Sequence, residues 1–333
     1  MAVAVSRADQ VAQAVLFPSA AAVDAASVVP AGHLDALAAA GLYGIAGPVA
    51  LGGLDVDLVT FCRVIETLAG GCLATTFVWL QHHGAVRALA ASANSQLRDT
   101  WLGPLVQGQC RAGIALGSAR RGPPLLRASR TCDGYVLDGT APWVTGWGLV
   151  DVVYTLARDS AGQLVAALLP ARSSATLAAT RLNLVAVNAS ATVELRFAGY
   201  FVPDALVCSV FPHAEFLARD AEGLRPNGSL SLGVAARSCR LVGASPLDAE
   251  LAAVRDRLDR ADGGTMPAAR AAAAEFAYRA AGAAVAAAGS RAILVGEHPQ
   301  RLAREAEFLL VFGSRPAIKE NIVSLLARAR ATW

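Results

Sequence analysis

The sequence lacks the cysteine patterns that bind metals or build disulfide frameworks. Its six cysteines form no C-x-x-C pair and show no spacing typical of metal ligands. We therefore expect reduced, buried thiols in a cytoplasmic protein. The cysteines are Cys62, Cys72, Cys110, Cys132, Cys208 and Cys239.

Clusters of basic residues are also missing. Lys319 is the only lysine among 29 basic residues, the arginines are scattered singly, and the formal net charge is only +3. No nucleic-acid-binding surface is therefore expected, because such surfaces concentrate positive charge on one face.

No run of residues is apolar enough to predict a membrane span. The alanine-rich stretch from Ala268 to Gly289 is long enough to cross a bilayer, but Arg270, Glu275 and Arg279 lie inside it. Arg7 interrupts the apolar N-terminus early, so we expect no signal peptide.

What the sequence does contain is enough apolar residues for a large core: 55% of 333 residues are hydrophobic and the mean hydropathy is +0.45. Apolar residues recur at helical spacing in the first third and again in the last. Between them the period changes to two. These patterns predict an α+β fold with a helical domain at 1–110, a small β domain at 111–210 and a helical bundle at 211–333.

Alternation with period two is clearest near the end of the β domain. Val193, Leu195 and Phe197 are separated by polar residues, which predicts a strand with one buried face. Leu182 and Leu184 alternate in the same way, so we expect a second strand there.

The most informative segment runs from Tyr135 to Arg158, YVLDGTAPWVTGWGLVDVVYTLAR. It joins two strand-like runs through a turn that carries Trp143 and Thr145. On a regular extended backbone these two side chains project to one face, where an indole ring and a hydroxyl could address one planar ligand. The alternative is a buried tryptophan at the end of a hairpin.

This segment resembles the middle-domain motif of the acyl-CoA dehydrogenase family, in which a Trp-hydrophobic-Thr triplet packs on the flavin of FAD. LRDTWLGPLVQGQCRAGIAL, upstream, and VELRFAGYFVPDALV, downstream, resemble the start and the end of that domain. The resemblance implies an acyl-CoA dehydrogenase-like fold, bound FAD, an acyl-CoA or related thioester substrate, and a homo-oligomer or a heteromer with a related subunit. It implies flavin contacts for Trp143, Thr145 and Ser118.

The family's catalytic glutamate is missing from the matching positions. In many members it lies in a break between the last two helices, and the matching position here is Gly313, at the start of the break that ends at Pro316. Other members carry it early in the third domain, but 227–236 contains no acid. A positioned general base contributes about 10² to 10⁴ in rate, so the catalytic residue stays open.

Other titratable residues have weaker support. We expect one of His82 and His83 to be exposed and the other packed, because adjacent helical residues face different directions. The Glu297–His298 pair is interpreted as a solvated loop. Glu305 is expected on a charged helix face with an arginine partner.

Two more groups are interpreted as surface features: Glu307 on the same charged helix face as Glu305, and Arg120 and Arg121 in their loop.

Three functions remain open. The first is an FAD-dependent acyl-CoA dehydrogenase that oxidises a thioester at Cα–Cβ. The second is a flavin oxidase or hydroxylase of the same fold. The third is a non-catalytic partner subunit of a heteromeric acyl-CoA dehydrogenase.

Overall fold

The computed structural model describes residues 2–219, 223–313 and 315–327. The chain begins with helices. Two of them start at side-chain caps: Asp57 accepts a hydrogen bond from the Thr60 amide at 2.7 Å, and Asn94 accepts one from the Leu97 amide at 3.1 Å. The helices are α1 (Ala2–Val11), α2 (Phe17–Ala25), α3 (Ala31–Ala39), α4 (Leu58–Gly71), α5 (Leu73–Ala90) and α6 (Ser95–Val106), with a π-helical turn (Ala12–Leu16) between α1 and α2.

A mixed sheet follows, with the order β6-β7-β3-β2-β4-β5-β8 and β1 parallel to β4. Its two faces pack into separate apolar clusters, one inside the sheet's own fold and one under α5 and α6. The strands are β1 (Ala112–Ala115), β2 (Leu126–Arg130), β3 (Gly134–Val144), β4 (Val152–Arg158), β5 (Gln163–Pro170), β6 (Leu177–Arg181), β7 (Val193–Pro203) and β8 (Val207–Pro212).

The alternation predicted for β7 is confirmed, since Val193, Leu195 and Phe197 are all buried. The strand expected at Leu182 and Leu184 is wrong. Strand β6 ends at Arg181, and the residues after it form an irregular connection. Alternation over so few residues does not distinguish a strand from a loop laid across a packed surface.

Helices return after the sheet, so the α+β prediction of helices, sheet and helices is confirmed. Among the described residues, none of the helices is both long and apolar enough to cross a bilayer. The alanine-rich run instead forms α10, buried against α8 and α11. The helices are α7 (His213–Ala218), α8 (Leu224–Val242), α9 (Pro246–Arg260), α10 (Met266–Ala288), α11 (His298–Val311) and α12 (Pro316–Ala327).

Four of the six cysteines are buried, as expected. Cys110 is partly exposed and Cys132 is fully exposed, so the expectation of buried thiols is wrong at these two. Both lie in connections, Cys110 after α6 and Cys132 after β2. The spacing of apolar residues predicts burial only within a helix or a strand.

The first and last helical regions meet where α4 crosses α8 at two glycines. A Cβ on Gly233 would lie 2.4 Å from the Glu66 carbonyl oxygen and 2.7 Å from the Ala69 Cβ. A Cβ on Gly70 would lie 3.1 Å from the Gly233 carbonyl oxygen. The backbones of the two helices therefore approach more closely than any larger residue would allow.

We expect Gly233→Ala to lower the free energy of unfolding by about 2 kcal/mol or more, because the added methyl overlaps backbone atoms of α4. Gly282→Ala is the matched control. Gly282 also lies inside a helix, but no atom stands within 4 Å of the place that an added methyl would take, so the change should stabilise the protein by about 0.5–1 kcal/mol. Chemical denaturation of both variants measures the difference, and equal effects would contradict the packing interpretation.

Candidate functional site

The segment at the end of β3 is irregular at its tryptophan. Trp143 has φ +61°, a left-handed conformation, and β3 slips its register against β7 between Ala141 and Val144. As a result Trp143 is 63% exposed while Thr145 is 3% exposed. The regular extended backbone from which we placed both side chains on one face is therefore not present, and the alternative of a buried tryptophan is also wrong.

Thr145 lies inside a small hydroxyl network. Its Oγ1 is 3.2 Å from Oγ1 of Thr192, which is in turn 2.8 Å from Oγ of Ser190. The next backbone amide, of Gly146, donates to the Ser190 carbonyl oxygen at 2.9 Å. A hydroxyl offers one donor and two acceptor sites, so one partner leaves Thr145 capacity for a second bond.

Backbone strain concentrates around this segment. Four non-glycine residues of the described chain have positive φ, and three of them are Trp143, Val187 at +50° and Ala191 at +50°. The Trp147 amide donates to the Ala191 carbonyl oxygen at 3.1 Å, so the strained positions share one packed unit. Strain of this kind persists only where the surroundings enforce it, and it clusters at ligand sites.

Ser118 lies in the short 3-10 turn Gly117–Ala119 that follows β1, and its side chain lies outside the described residues. The turn packs closely on the end of β3, since a Cβ on Gly117 would lie 2.8 Å from Cδ of Pro142. Because Trp143 directly follows Pro142, the backbone brings Ser118 to the neighbourhood of Trp143. Arg120 and Arg121 are exposed, as predicted.

A cavity of about 380 Å³ opens beside β1 and α5. Leu116 and Ile114 line it from the β1 side, and Gly113 of the same strand packs against the Thr145 carbonyl, so the cavity and the Trp143 segment adjoin at β1. We call it the α5 cavity. Its other walls are α5, Phe61 of α4, the end of β8, α7, the start of α8 and Arg315.

The break between α11 and α12 borders the α5 cavity. Phe312 packs edge-on against Phe77 of α5 at a centroid distance of 4.9 Å. Gly313 follows with φ +62°, and a Cβ there would lie 3.2 Å from Nδ2 of Asn227, which lines the cavity. The position that matches the family's glutamate therefore faces the amide of Asn227.

A buried arginine holds this break in place. The Arg270 guanidinium donates to Oγ of Ser231 at 3.1 Å and to the carbonyl oxygens of Leu309 at 3.3 Å and Phe312 at 3.4 Å. Burial lowers the pKa of Arg270 to about 10, which still leaves it charged at neutral pH. The last carbonyl oxygens of α11 carry partial negative charge, which stabilises the positive charge of the guanidinium.

His82 is a structural residue. Its Nε2 donates to the Leu105 carbonyl oxygen at 3.1 Å, and its Nδ1 accepts from the Ala112 amide at 3.1 Å. Burial lowers its pKa to about 3, and the two partners fix the neutral tautomer that carries its proton on Nε2. This side chain joins α5 to the end of α6 and the start of β1.

His83 is as deeply buried as His82, so the expectation that one of them is exposed is wrong. Its ring packs edge-on against Trp79 at 4.4 Å and Phe61 at 5.3 Å, and it lines the α5 cavity. Neither ring nitrogen has a hydrogen-bond partner among the described residues. Burial holds its pKa well below the usual value, so the ring is neutral.

The acidic residues of α11 also differ from expectation. Glu305 does pair with Arg301, at 2.6 Å, but both side chains are buried rather than on an exposed face. Burial raises the pKa of Glu305. Glu307 is exposed, as predicted. His298 stacks on Phe17 at 4.3 Å and is half-buried, so it is not part of a solvated loop.

Among the residues that the structure describes, no group of histidine, cysteine, aspartate and glutamate could hold a metal ion. A second depression of about 460 Å³, between α9 and α10, contacts none of the predicted site residues. The α5 cavity and the Trp143 segment therefore form the candidate site.

Comparison with known proteins gives matches over the whole fold. Residues 4–109 match the family model for the acyl-CoA dehydrogenase N-terminal domain. Benzylmalonyl-CoA dehydrogenase from Aromatoleum aromaticum is 26% identical over 193 residues, which cover 56% of this chain and 51% of that protein. The mitochondrial short-chain specific acyl-CoA dehydrogenase of Homo sapiens is 25% identical over 197 residues, 56% of this chain and 48% of that protein. The chain thus spans about half the length of these relatives.

A solved glutaryl-CoA dehydrogenase from Mycobacterium smegmatis, in complex with FADH2, superimposes with a TM-score of 0.82 at 16% identity, covering 97% of this chain and 93% of that one. This likeness extends through all three regions and confirms the predicted fold. At such low identity it carries information on the fold alone.

The adjacent histidines allow a matched stability test. We expect His82→Phe to lower the free energy of unfolding by about 1–3 kcal/mol, because it leaves the Ala112 amide buried without its partner and removes one of the bonds to the Leu105 carbonyl, which keeps the Gly108 amide. His83→Phe should be neutral or stabilising by up to about 1 kcal/mol, because it removes two buried nitrogens that have no hydrogen-bond partner in the described chain. Denaturant unfolding of both variants measures this, and a destabilised His83→Phe would show that His83 has a structural partner.

Proposed function

We infer that this chain, a member of the acyl-CoA dehydrogenase family, is an FAD-dependent oxidoreductase that binds an acyl thioester in the α5 cavity. The observation that carries the proposal is the position of that cavity. It lies between α5, the end of β1 and Arg315 after the break, and it adjoins the strained Trp143 segment at β1.

The residues around Trp143 fit the ring of a flavin. An indole that is 63% exposed on a strained backbone is unusual for a residue with a packing role alone, and it offers a flat apolar surface for stacking. Thr145 would bond the ring through the capacity that Thr192 leaves free. Ser118 is the third proposed contact. Bound FAD would supply the acceptor for the hydride that leaves the β-carbon of the acyl chain.

The other two steps, binding of the acyl chain and removal of its α-proton, would take place in the cavity. The apolar part of its lining would orient the acyl chain between α5 and the break, while a base would have to take the α-proton. Gly313 supplies none. Glu215 is the one carboxylate among the described lining residues, and it pairs with Arg219 at 3.2 Å. The catalytic base is therefore unassigned.

The amide of Asn227 beside Gly313 favours a second candidate. A site without a carboxylate at this point suits a flavin oxidase or hydroxylase of the same fold, or a partner subunit that completes another chain's site. An anaerobic titration with acyl-CoA separates these cases. A dehydrogenase bleaches its own flavin, a hydroxylase needs a reductase and oxygen, and a partner subunit carries little flavin alone.

Assembly with a second chain is part of the proposal. The resemblance to the family implies an oligomer, and the chain exposes a continuous apolar segment at Ile293, Leu294 and Val295 between α10 and α11. A homo-oligomer or a heteromer with a related subunit would cover such a segment.

We expect Trp143→Ala to weaken FAD binding at least tenfold, because the indole supplies the exposed stacking surface. The dissociation constant of FAD is measured by flavin fluorescence during reconstitution of the apoprotein. Phe201→Ala is a matched control, since Phe201 is also an exposed aromatic residue of the sheet. If the two variants bind FAD equally well, Trp143 is not a flavin contact.

We expect Gly313→Glu to raise the rate of flavin reduction by acyl-CoA at least tenfold, towards the 10² to 10⁴ of a positioned base. The left-handed φ of Gly313 should cost about 1–2 kcal/mol of stability for any side chain. Gly313→Gln has the same strain without a base and serves as the control. Stopped-flow absorbance under anaerobic conditions measures both rates. An equal rise in the glutamine variant, or none in either, would contradict a vacant base position.

A further inference from the structure

The 3-10 turn Gly117–Ala119, which we call the Ser118 turn, adjoins the Trp143 segment. A Cβ on Gly117 would lie 2.8 Å from Cδ of Pro142, the residue before Trp143. The position of this turn therefore decides whether Ser118, the proposed flavin contact within it, can reach a ring that is stacked on Trp143.

The residues after the Ser118 turn do little to fix its position. The chain at 120–123 is exposed and forms neither helix nor strand. Segments of this kind, with few buried contacts of their own, open easily unless other parts of the protein hold them. The bonds that reach this loop from outside are therefore informative.

His213, the first residue of α7, makes one of these bonds. Its Nε2 lies 3.0 Å from the carbonyl oxygen of Ala119, the last residue of the Ser118 turn. The His213 backbone amide donates to the Gly162 carbonyl oxygen at 3.1 Å, which fixes the histidine itself to the β4–β5 hairpin. One half-buried side chain thus joins the turn to the sheet.

Arg158 determines which nitrogen of His213 carries the proton. The Arg158 Nη1 lies 2.9 Å from Nδ1 of the imidazole. A guanidinium can only donate, so Nδ1 must accept and the ring is neutral, with its one proton on Nε2. That proton is the one donated to the Ala119 carbonyl oxygen. Both ring nitrogens are therefore used, each in the single role that its partner allows.

Arg158 also reaches the loop directly. Its Nη2 donates to the carbonyl oxygen of Gly122, three residues after Ala119. Arg158 is the last residue of β4, and His213 directly follows β8. The two side chains therefore attach the loop to two strands of the sheet through two of its carbonyl oxygens.

The same histidine connects the turn to the wall of the α5 cavity. It begins α7, and Phe216 of that helix lines the cavity. On the other side of the turn, Leu116 lines the cavity from the end of β1. The bond from His213 thus fixes the turn at the junction of the cavity and the Trp143 segment.

We propose that His213 is a positioning residue for the flavin, which holds the Ser118 turn, together with Arg158, where Ser118 meets a ring stacked on Trp143. The inference rests on the proposed function, since it assigns a further residue to the same cofactor site. His213 acts through its bond to the Ala119 carbonyl and not through a contact of its own with the flavin.

The test compares FAD binding by variants of the full chain, measured by flavin fluorescence during reconstitution of the apoprotein. His213→Leu removes both ring nitrogens and should weaken FAD binding by about tenfold, which is the size of one lost hydrogen bond. His213→Gln keeps an amide N–H for the Ala119 carbonyl and should stay within about threefold of the unchanged chain. Equal FAD affinities for these two variants would overturn the proposal.

Arg130→Met is the matched control. It breaks an ion pair with Asp204, also on the sheet, but Arg130 pairs with Tyr135, at the opposite end of β3 from Trp143. FAD binding by this variant should be unchanged. A loss equal to that of His213→Leu would show a general effect of weakening the sheet, and the proposal would be wrong.

Hydrogen exchange of the apoprotein measures the position of the loop without the cofactor. The amides of 117–122 should exchange faster in His213→Leu than in the unchanged chain, and His213→Gln should resemble the unchanged chain. A lower melting temperature of His213→Leu with unchanged FAD affinity would show a role in stability alone and would also overturn the proposal.

The outcomes separate this inference from the proposed function. If His213→Leu weakens FAD binding as expected but acyl-CoA does not reduce the flavin, the dehydrogenase function fails and the role of His213 stands. If acyl-CoA reduces the flavin and all variants bind FAD equally well, only the inference fails. If the unchanged chain takes up no FAD, both fail.

Discussion

The candidate site depends on a buried cation that no described carboxylate neutralises. Arg270 lies in α10, yet its guanidinium bonds Ser231 of α8 and the last carbonyls of α11, so one side chain joins three helices. Helix ends leave carbonyls without partners, and a buried arginine satisfies them while their partial charge stabilises it. The same bonds fix Phe312, and with it the position of Gly313 beside Asn227.

The opposite wall of the site depends on α5. His82 joins this helix to the end of α6 and the start of β1 through two bonds to backbone atoms, which fixes β1 where the cavity adjoins the Trp143 segment. At the next position His83 makes no hydrogen bond within the described chain. One helix therefore combines a rigid attachment to the sheet with a buried imidazole beside the cavity.

Sequence periodicity predicted the order of helices and strands because burial of one face is a local property of each element. The motif around Trp143 located the segment where strain concentrates. The left-handed backbone at Trp143 could not be predicted, since it follows from a register slip against β7, about fifty residues away in the chain.

The burial of both His82 and His83 could not be predicted from the sequence either. Adjacency on a helix fixes only the angle between two side chains, and whether both are covered depends on tertiary contacts: Leu105 and Ala112 at His82, and Phe61 at His83.

The imidazole of His83, which has no hydrogen-bond partner within the described ranges, has a consequence for protein engineering. Any selection that rewards thermal tolerance alone will favour an apolar ring at this position, since such a ring gains packing and loses nothing in the folded state. In a library selected for stability, His83 would therefore be replaced early, because expression and melting temperature would both improve. A histidine would be retained in such a library only under a screen for binding or activity, and not under one for stability.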